Sequence, residues 1–303
     1  MFKKMIGLIS KFNKSSNIIN NIDKLLDFKT RASHLLNLAL TSSEPITRSN
    51  EAGETELIVS FTTYSKRIYD VHLVIESIAL QTKKPNRVIL WLDESEFNFE
   101  NIPIILKKQV LRGLEIRFCP NYRSYKKLVP ALNSFPNANI ITIDDDIIYP
   151  HDMVELLMLE HQSYPEFVLG HRVHKLKVKN KKILPYSHWD HNIESDISGF
   201  NIVPTGAGGV LYPQGSLALD CTNVDEFSEV APNADDIWFK AMSLLNSRQC
   251  KKVGGNRNYT SYFVPILNSQ DIGLYNDNVN EGGNDFQIQK TFEKYKQLIE
   301  KLT

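Results

Sequence analysis

ELIVSFTTYSKRIYDVHLVIESIALQTKKPNRVILWL, residues 56–92, sets the fold. It opens on an apolar, β-branched run of strand length, "ELIVSF" (56–61). In "DVHLVIESIALQ" (70–81) the apolar residues return at helical spacing, and "NRVILWL" (86–92) reads as a second strand. The pattern continues with "IPIILKKQVLR" as a helix, "LEIRFC" (114–119) as a strand, "SYKKLVPALNSF" as a helix started by Ser124, and "NIITI" as a fourth strand. Strands alternating with helices of this length predict an α/β domain: an open, mostly parallel sheet covered on both faces.

Outside this block the chain changes character. Residues 1–55 are rich in Asn, Lys and Ser and end in the polar stretch SSEPITRSNEAGETE, so they are expected to form a helical and linker extension to a domain at 56–303. Phe2, Met5, Ile6, Ile9 and Phe12 recur at helical spacing with Lys3, Lys4 and Lys11 between them. Such a helix either packs on the main domain or rests, through residues 1–12, on an anionic membrane surface. The first residues lack a small-residue cleavage site and read as retained, not as a signal peptide. No apolar run approaches the roughly 20 residues of a membrane span.

Of 303 residues, 42% are hydrophobic and 23% charged, ordinary values for a globular protein. Lys+Arg and Asp+Glu stand at 35 each, so no net field draws the chain to nucleic acid. Cys119, Cys221 and Cys250 are far apart and odd in number, which argues for a reducing, cytoplasmic setting and against disulfides or a zinc site.

The fourth predicted strand runs into three aspartates, "NIITIDDDIIYP" (139–150). Ligands of open α/β sheets bind beyond the carboxyl ends of the strands, where these residues fall. In an extended backbone Asp144 and Asp146 would share a face. Two hard carboxylates on one side suit Mg²⁺ or Mn²⁺, and their mutual repulsion is tolerable if a divalent cation or a cationic partner neutralises it. The same run also fits a plain acidic turn or the N-cap of a helix in "YPHDMVELLMLEH". A second acidic pair, Asp235 and Asp236, opens a predicted helix in "NADDIWFKAMSLL" (233–245), where capping is again the simpler reading. "PTGAGGVLYPQGSL" (204–217) is glycine-rich, as a loop or tight turn approached closely by a ligand would be. Lys175, Lys177, Lys179 and Lys181 lie at period two, expected as a solvated strand face or a site for an anionic acceptor. His188 and His191 stand three apart, a spacing open to a metal pair, and "GGNDFQIQKTFEKYKQLIEKL" closes the chain as a helix.

Taken in order, these segments resemble the glycosyltransferases of the GT-A fold over residues 56 to about 285. "LIVSFTTYSKRI" resembles the first strand and nucleotide-binding turn, "ILWLDE" the second strand ending in an acidic residue, and "IDDDIIYP" the DxD metal motif. "GAGGVLYP" resembles the glycine-rich acceptor-side segment and "ADDIWFKAM" the motif that carries the catalytic carboxylate of inverting members. The resemblance implies a sugar donor held by Thr63, Tyr64, Arg67, Asp93, Lys127, Asp144 and Asp145, with Mn²⁺ or Mg²⁺ on Asp144 and Asp146. It implies Asp236, then Asp235, as base, and Gly208 and Gly209 on the acceptor side; Trp189, between His188 and Asp190, is expected either to stack on an acceptor sugar or to lie in the core. The implied partners are a nucleotide-sugar, favouring a UDP-sugar, and a glycan or lipid-linked acceptor. The implied role is bacterial surface polysaccharide synthesis, such as lipopolysaccharide or capsule, on the cytoplasmic side of the membrane. Two features depart from the pattern: no histidine follows His191 to complete a metal site, and the acidic motif has Asp-Asp where Glu-Asp is commoner. Two other readings keep the same residues. One is a non-catalytic carbohydrate- or nucleotide-binding module. The other is a haloacid-dehalogenase-type phosphatase, whose DxD normally lies on the first core strand.

Overall fold

Each predicted strand of the block forms. In the computed structural model, which describes residues 2–267 and 283–302 and only the backbone of 2–21, a long helix Phe2–Thr41 (α1) leads into Leu57–Thr62 (β1). Val71–Ala79 (α2), Arg87–Asp93 (β2), Ile104–Val110 (α3), Leu114–Cys119 (β3), Val129–Ser134 (α4) and Asn139–Thr142 (β4) follow. Next come Ile147–Ile148 (β5), Met153–Ser163 (α5), Val168–Gly170 (β6), Val173–Lys175 (β7), Val178–Lys179 (β8) and Lys182–Ile183 (β9). The remainder comprises Ser198–Gly199 (β10), Ile202–Pro204 (β11), Val210–Tyr212 (β12), Val224–Val230 (α6), Asp235–Leu245 (α7), Cys250–Lys252 (β13), Val264–Pro265 (β14) and Gly283–Lys294 (α8).

Eight strands form one sheet in the order β10-β13-β6-β12-β4-β1-β2-β3. The pairs β1–β2, β2–β3, β1–β4 and β13–β6 are parallel; β12 runs antiparallel between β4 and β6, and β10 is antiparallel at the edge. The strands are apolar nearly throughout because both faces are covered. Val59, Phe61, Leu90, Leu92 and Ile141 point into a core shared with Val71 and Ile75 of α2 and Leu106 of α3. Their neighbours Ile58, Ile89, Trp91 and Ile140 point into a second core with Val129 of α4, Phe227 of α6 and Trp238 and Phe239 of α7. The period of two along each strand thus divides its side chains between the two cores.

Phe28 and Leu35 of α1 join the first core, so the second half of this helix packs on the domain. The side chains of Phe2, Met5, Ile6, Ile9 and Phe12, which carried the membrane reading, lie outside the described residues. Among the described residues no helix is long and apolar enough to cross a membrane.

Three local expectations are corrected. The helix predicted from Ser124 is a 3₁₀ turn, Arg123–Lys127, followed by α4 from Val129. Pro130 explains the break: it fits only the first turn of an α-helix, where its missing N–H costs nothing. The period-two lysines do not share one strand, because β7 ends at Lys175 and Asn180 and Lys181, at φ 52° and 57°, turn the β8–β9 hairpin. The closing helix ends at Lys294 and continues as a 3₁₀ stretch, Lys296–Leu302.

Candidate active site

The order β3-β2-β1-β4 reverses direction at β1, so the carboxyl ends of β1 and β4 flank the switch point, the place where open α/β sheets bind ligands in a crevice. Thr63 leaves β1 there and the aspartates leave β4. The registers Ser60↔Thr142 in β1–β4 and Val210↔Thr142 in β12–β4 bring a third segment to the same place, the turn Gly206–Gly209 ahead of β12. The N-terminus of α7 comes against this turn: the Gly206 N–H donates to Asp236 Oδ1 at 3.2 Å.

The aspartates do not share one extended face. β4 stops at Thr142 and Asp145–Asp146 form a turn, so the three carboxylates take different partners. Asp145 is buried and accepts from the Thr63 hydroxyl (2.6 Å) and from Arg67 Nη1 (2.7 Å). Arg67 Nη2 reaches Asp146 Oδ2 at 3.1 Å, so one guanidinium holds two neighbouring carboxylates. Asp144 lies on the other side, with its Oδ1 3.1 Å from Lys127 Nζ and its N–H donated to the Tyr149 hydroxyl (2.8 Å). Lys127 also meets Asp235 Oδ2 at 2.9 Å, tying the aspartate run to the start of α7. The 3₁₀ turn carrying Lys127 is pinned on β1 by the Ser60 hydroxyl, which donates to the Lys127 carbonyl (2.7 Å) and accepts from Trp91 Nε1 (3.0 Å).

Burial shapes the charges. Alone it would lower the proton affinity of Lys127, but Asp144, Asp235 and Asp236 outweigh it and hold the ammonium well above its ordinary range. Burial likewise raises Asp145, with Arg67 and Thr63 opposing. Among the described residues Asp236 has no cation in contact; burial first and the adjacent Asp235 second push its carboxyl up to about 7, against the pull of Lys127. Carboxyls with this affinity suit proton transfer near neutral pH.

Five carboxylates thus surround two cations, Arg67 and Lys127. The excess negative charge and the hard oxygen donors fit a divalent cation. Asp144 and Asp146 are the members of the run that could meet such a cation, with side chains 30% and 15% exposed where Asp145 is sealed in, but among the described residues no group of three or more His, Cys, Asp or Glu side chains is arranged to hold a metal ion by itself. A Cβ at 206 would fall 2.5 Å from Lys127 Nζ and 2.7 Å from Asp144 Oδ1, so a side chain there would displace the Lys127–Asp144 pair. Gly208 packs as tightly, since its Cβ would meet the Arg172 backbone nitrogen at 2.6 Å, and Gly209 has φ +80°.

Several expected contacts fall elsewhere. Thr63 bonds Asp145, and Asp145 bonds Arg67, within the protein. Asp93 is buried; its Oδ1 accepts the N–H (2.9 Å) and hydroxyl (2.6 Å) of Ser95, and its Oδ2 is 3.8 Å from Lys126 Nζ. Burial opposes its ionisation, but these bonds win and lower its proton affinity. Tyr64 lies with its ring 5.2 Å from the Arg67 guanidinium. Trp189 is not brought to the cluster: it is buried in the second core beside Tyr186 and donates to the Leu184 carbonyl at 2.9 Å. His191 contacts the Tyr186 carbonyl (2.9 Å) and the ring of His174 (4.6 Å), while His188 contacts Ser187, so the two form no ligand pair.

Tyr149, Lys126, Arg172, Thr205 and Tyr259 were not read from the sequence. The Tyr259 hydroxyl donates to the Ala207 carbonyl at 3.2 Å, and Arg172 sits 5.5 Å over the Tyr259 ring. Tyr149 stood inside the aspartate stretch, Thr205 inside the glycine-rich segment and Lys126 beside Lys127; nothing in the sequence marked Arg172 or Tyr259.

No protein-family model and no curated protein matches the chain. Among solved structures it is similar to S. aureus TarS residues 1–349 in complex with UDP, at 14% identity and a TM-score of 0.45 over 69% of this chain and 60% of that one. It is also similar to a CMP:2-keto-3-deoxy-manno-octonic acid synthetase complexed with CTP, at 12% identity and a TM-score of 0.36 over 69% of this chain and 95% of that one. The chain therefore spans about 60% of the TarS chain, and likeness at this level assigns neither activity nor ligand.

Proposed function

We propose that the protein is a metal-dependent glycosyltransferase that moves a sugar from a nucleotide-sugar, a UDP-sugar by preference, to a hydroxyl of a glycan or lipid-linked acceptor. The GT-A reading of the sheet and a place in bacterial surface polysaccharide synthesis belong to the same proposal, as do cytoplasmic location and peripheral membrane contact through residues 1–12. The observation that supports it is Lys127 joining Asp144 to Asp235, because it links the aspartate run to the helix start that carries Asp236, a carboxyl of raised proton affinity.

Glycosyl transfer expels a nucleoside diphosphate, so negative charge grows on phosphate oxygens as the bond to the sugar breaks. Mn²⁺ or Mg²⁺ on Asp144 and Asp146 would supply Lewis-acid stabilisation of that charge. Lys127, held as an ammonium by its carboxylates, adds a fixed positive charge on the same side. Arg67 keeps Asp145 and Asp146 in place, and its guanidinium beside Tyr64 borders the nucleotide end. Asp236, across the Gly206 turn, accepts the proton of the acceptor hydroxyl as the new bond forms. Asp235 holds Lys127 and sustains the proton affinity of Asp236. The domain itself spans residues 56–303, with α1 and its linker as an extension.

The test is a set of nucleotide-sugars assayed for Mn²⁺- or Mg²⁺-dependent release of nucleoside diphosphate, with calorimetry of nucleotide binding to wild type and Asp146→Asn. Loss of the carboxylate should weaken metal-dependent binding by at least roughly 10–100-fold. Unchanged affinity and metal response would remove the metal assignment, and binding without release would leave a non-catalytic module.

A further inference from the structure

Arg172 differs from the other two arginines around the crevice. Arg67 is paired with Asp145 and Asp146, and Arg257 with Asp152 at 2.9 Å. Among the described residues no carboxylate lies within ion-pairing distance of Arg172. Its guanidinium is nevertheless fixed. Nε donates to Asn192 Oδ1 at 2.6 Å, Nη1 donates to Thr205 Oγ1 at 3.0 Å, and the group lies over the Tyr259 ring. A guanidinium has five N–H donors, and these bonds use two of them while fixing the plane of the rest.

Its position is fixed by the same turn that holds the candidate base. The Arg172 carbonyl accepts the Thr205 N–H at 3.0 Å, and Gly208 packs against the Arg172 backbone. Gly206, between these two residues, donates to Asp236. Arg172 is near enough to lower the proton affinity of Asp236 slightly, though not in contact with it. Tyr259, over whose ring it lies, is close enough to Asp144 and Asp146 for both to add to burial in raising its hydroxyl, so Arg172 neighbours the aspartate run as well as Asp236. A half-buried, oriented guanidinium with no carboxylate partner among the described residues suits a group that can accept two parallel hydrogen bonds.

We propose that Arg172 binds an oxyanion, a phosphate or a carboxylate, carried by the substrate at the end of the crevice where the acceptor meets the transferred sugar. This rests on the transferase reading only for what carries the anion. If the acceptor carries it, the enzyme builds on a charged glycan or polyol phosphate; if the sugar carries it, the donor is an acidic nucleotide-sugar. Thr205, Asn192 and Tyr259 act as positioning residues that hold the fork toward the ligand.

Arginine side-chain NMR of the full chain reads this directly. The Arg172 Nε–H resonance is identified by its loss in Arg172→Lys and followed at constant ionic strength with Mg²⁺ present. Four probes are titrated: glycerol 1-phosphate against glycerol, and UDP-glucuronate against UDP-glucose. The expected result is a saturable shift of that resonance with one anionic probe and none with its neutral counterpart. Arg172→Gln should weaken that probe at least tenfold, a loss typical of a hydrogen bond to a charged group, with the neutral counterpart unaffected. A response to glycerol 1-phosphate places the anion on the acceptor, and a response to UDP-glucuronate places it on the sugar. An Arg172 resonance unmoved by both anions, or equal affinity in Arg172→Gln, overturns the proposal. A response to phosphate in a protein that releases no nucleotide from any nucleotide-sugar would keep the anion site and sink the transferase reading.

Discussion

Asp236→Asn should disable the enzyme and stabilise the fold, and pH separates the two effects. In the folded protein the carboxyl keeps its proton up to about pH 7, against 3.8 for an ordinary aspartate. A group whose folded proton affinity is raised contributes stability that is complete below the unfolded value and lost as pH rises through the folded one. Here the window runs from 3.8 to about 7. Three pKa units at ~1.4 kcal/mol each amount to ~4 kcal/mol lost above neutrality. The amide carries no charge, and its oxygen can still accept the Gly206 N–H. The variant should therefore exceed wild type by about 1 kcal/mol near pH 4.5 and by about 4 kcal/mol near pH 8.5. Urea unfolding at both pH values measures this. With turnover established, kcat should fall by about 10²–10⁴-fold and the rise of rate with pH near 7 should vanish. That rise belongs to the coupled group of Asp235, Asp236 and Lys127, so Asp235→Asn is needed beside it. A variant no more stable than wild type near pH 8.5, or one that keeps the rising limb, would refute the assignment.

Gly206→Ala would drive a methyl into Lys127 Nζ and Asp144 Oδ1, with Cβ separations of 2.5 and 2.7 Å. Metal-dependent nucleotide affinity should fall at least tenfold while circular dichroism stays native; unchanged affinity would show that the turn is not part of the site. Arg67→Gln leaves Asp145 buried without its cation and should cost about 3–5 kcal/mol in chemical unfolding. Adding Asp145→Asn should recover part of that loss, and a double variant as unstable as the sum of the singles would deny the coupling. If residues 1–12 bind a membrane surface, deleting them should release the protein from anionic liposomes and leave turnover of a soluble acceptor unchanged; equal liposome binding by both forms would exclude that role.

The sequence by itself determined four of the eight strands of the sheet; β6, β10, β12 and β13 were not read from it. β1, β2, β3 and β4 were legible because strands buried on both faces must be apolar along their length, and this signal depends on a handful of adjacent residues. The place of the aspartates was legible for the same reason, since the end of a parallel strand is where an open sheet binds ligands. What the carboxylates do there was decided by tertiary structure. Neighbours in sequence, Asp144 and Asp145 face different cations, Lys127 and Arg67, because the chain turns at Asp145 instead of staying extended. Lys127 reads like any helix lysine until the turn before Pro130 presses it onto β1 between two acidic segments about 17 and 108 residues away. Arg172 and Tyr259 left no mark at all. A charge acquires its role from the charges that folding brings within a few ångströms and from the water it removes, and neither is a property of local sequence.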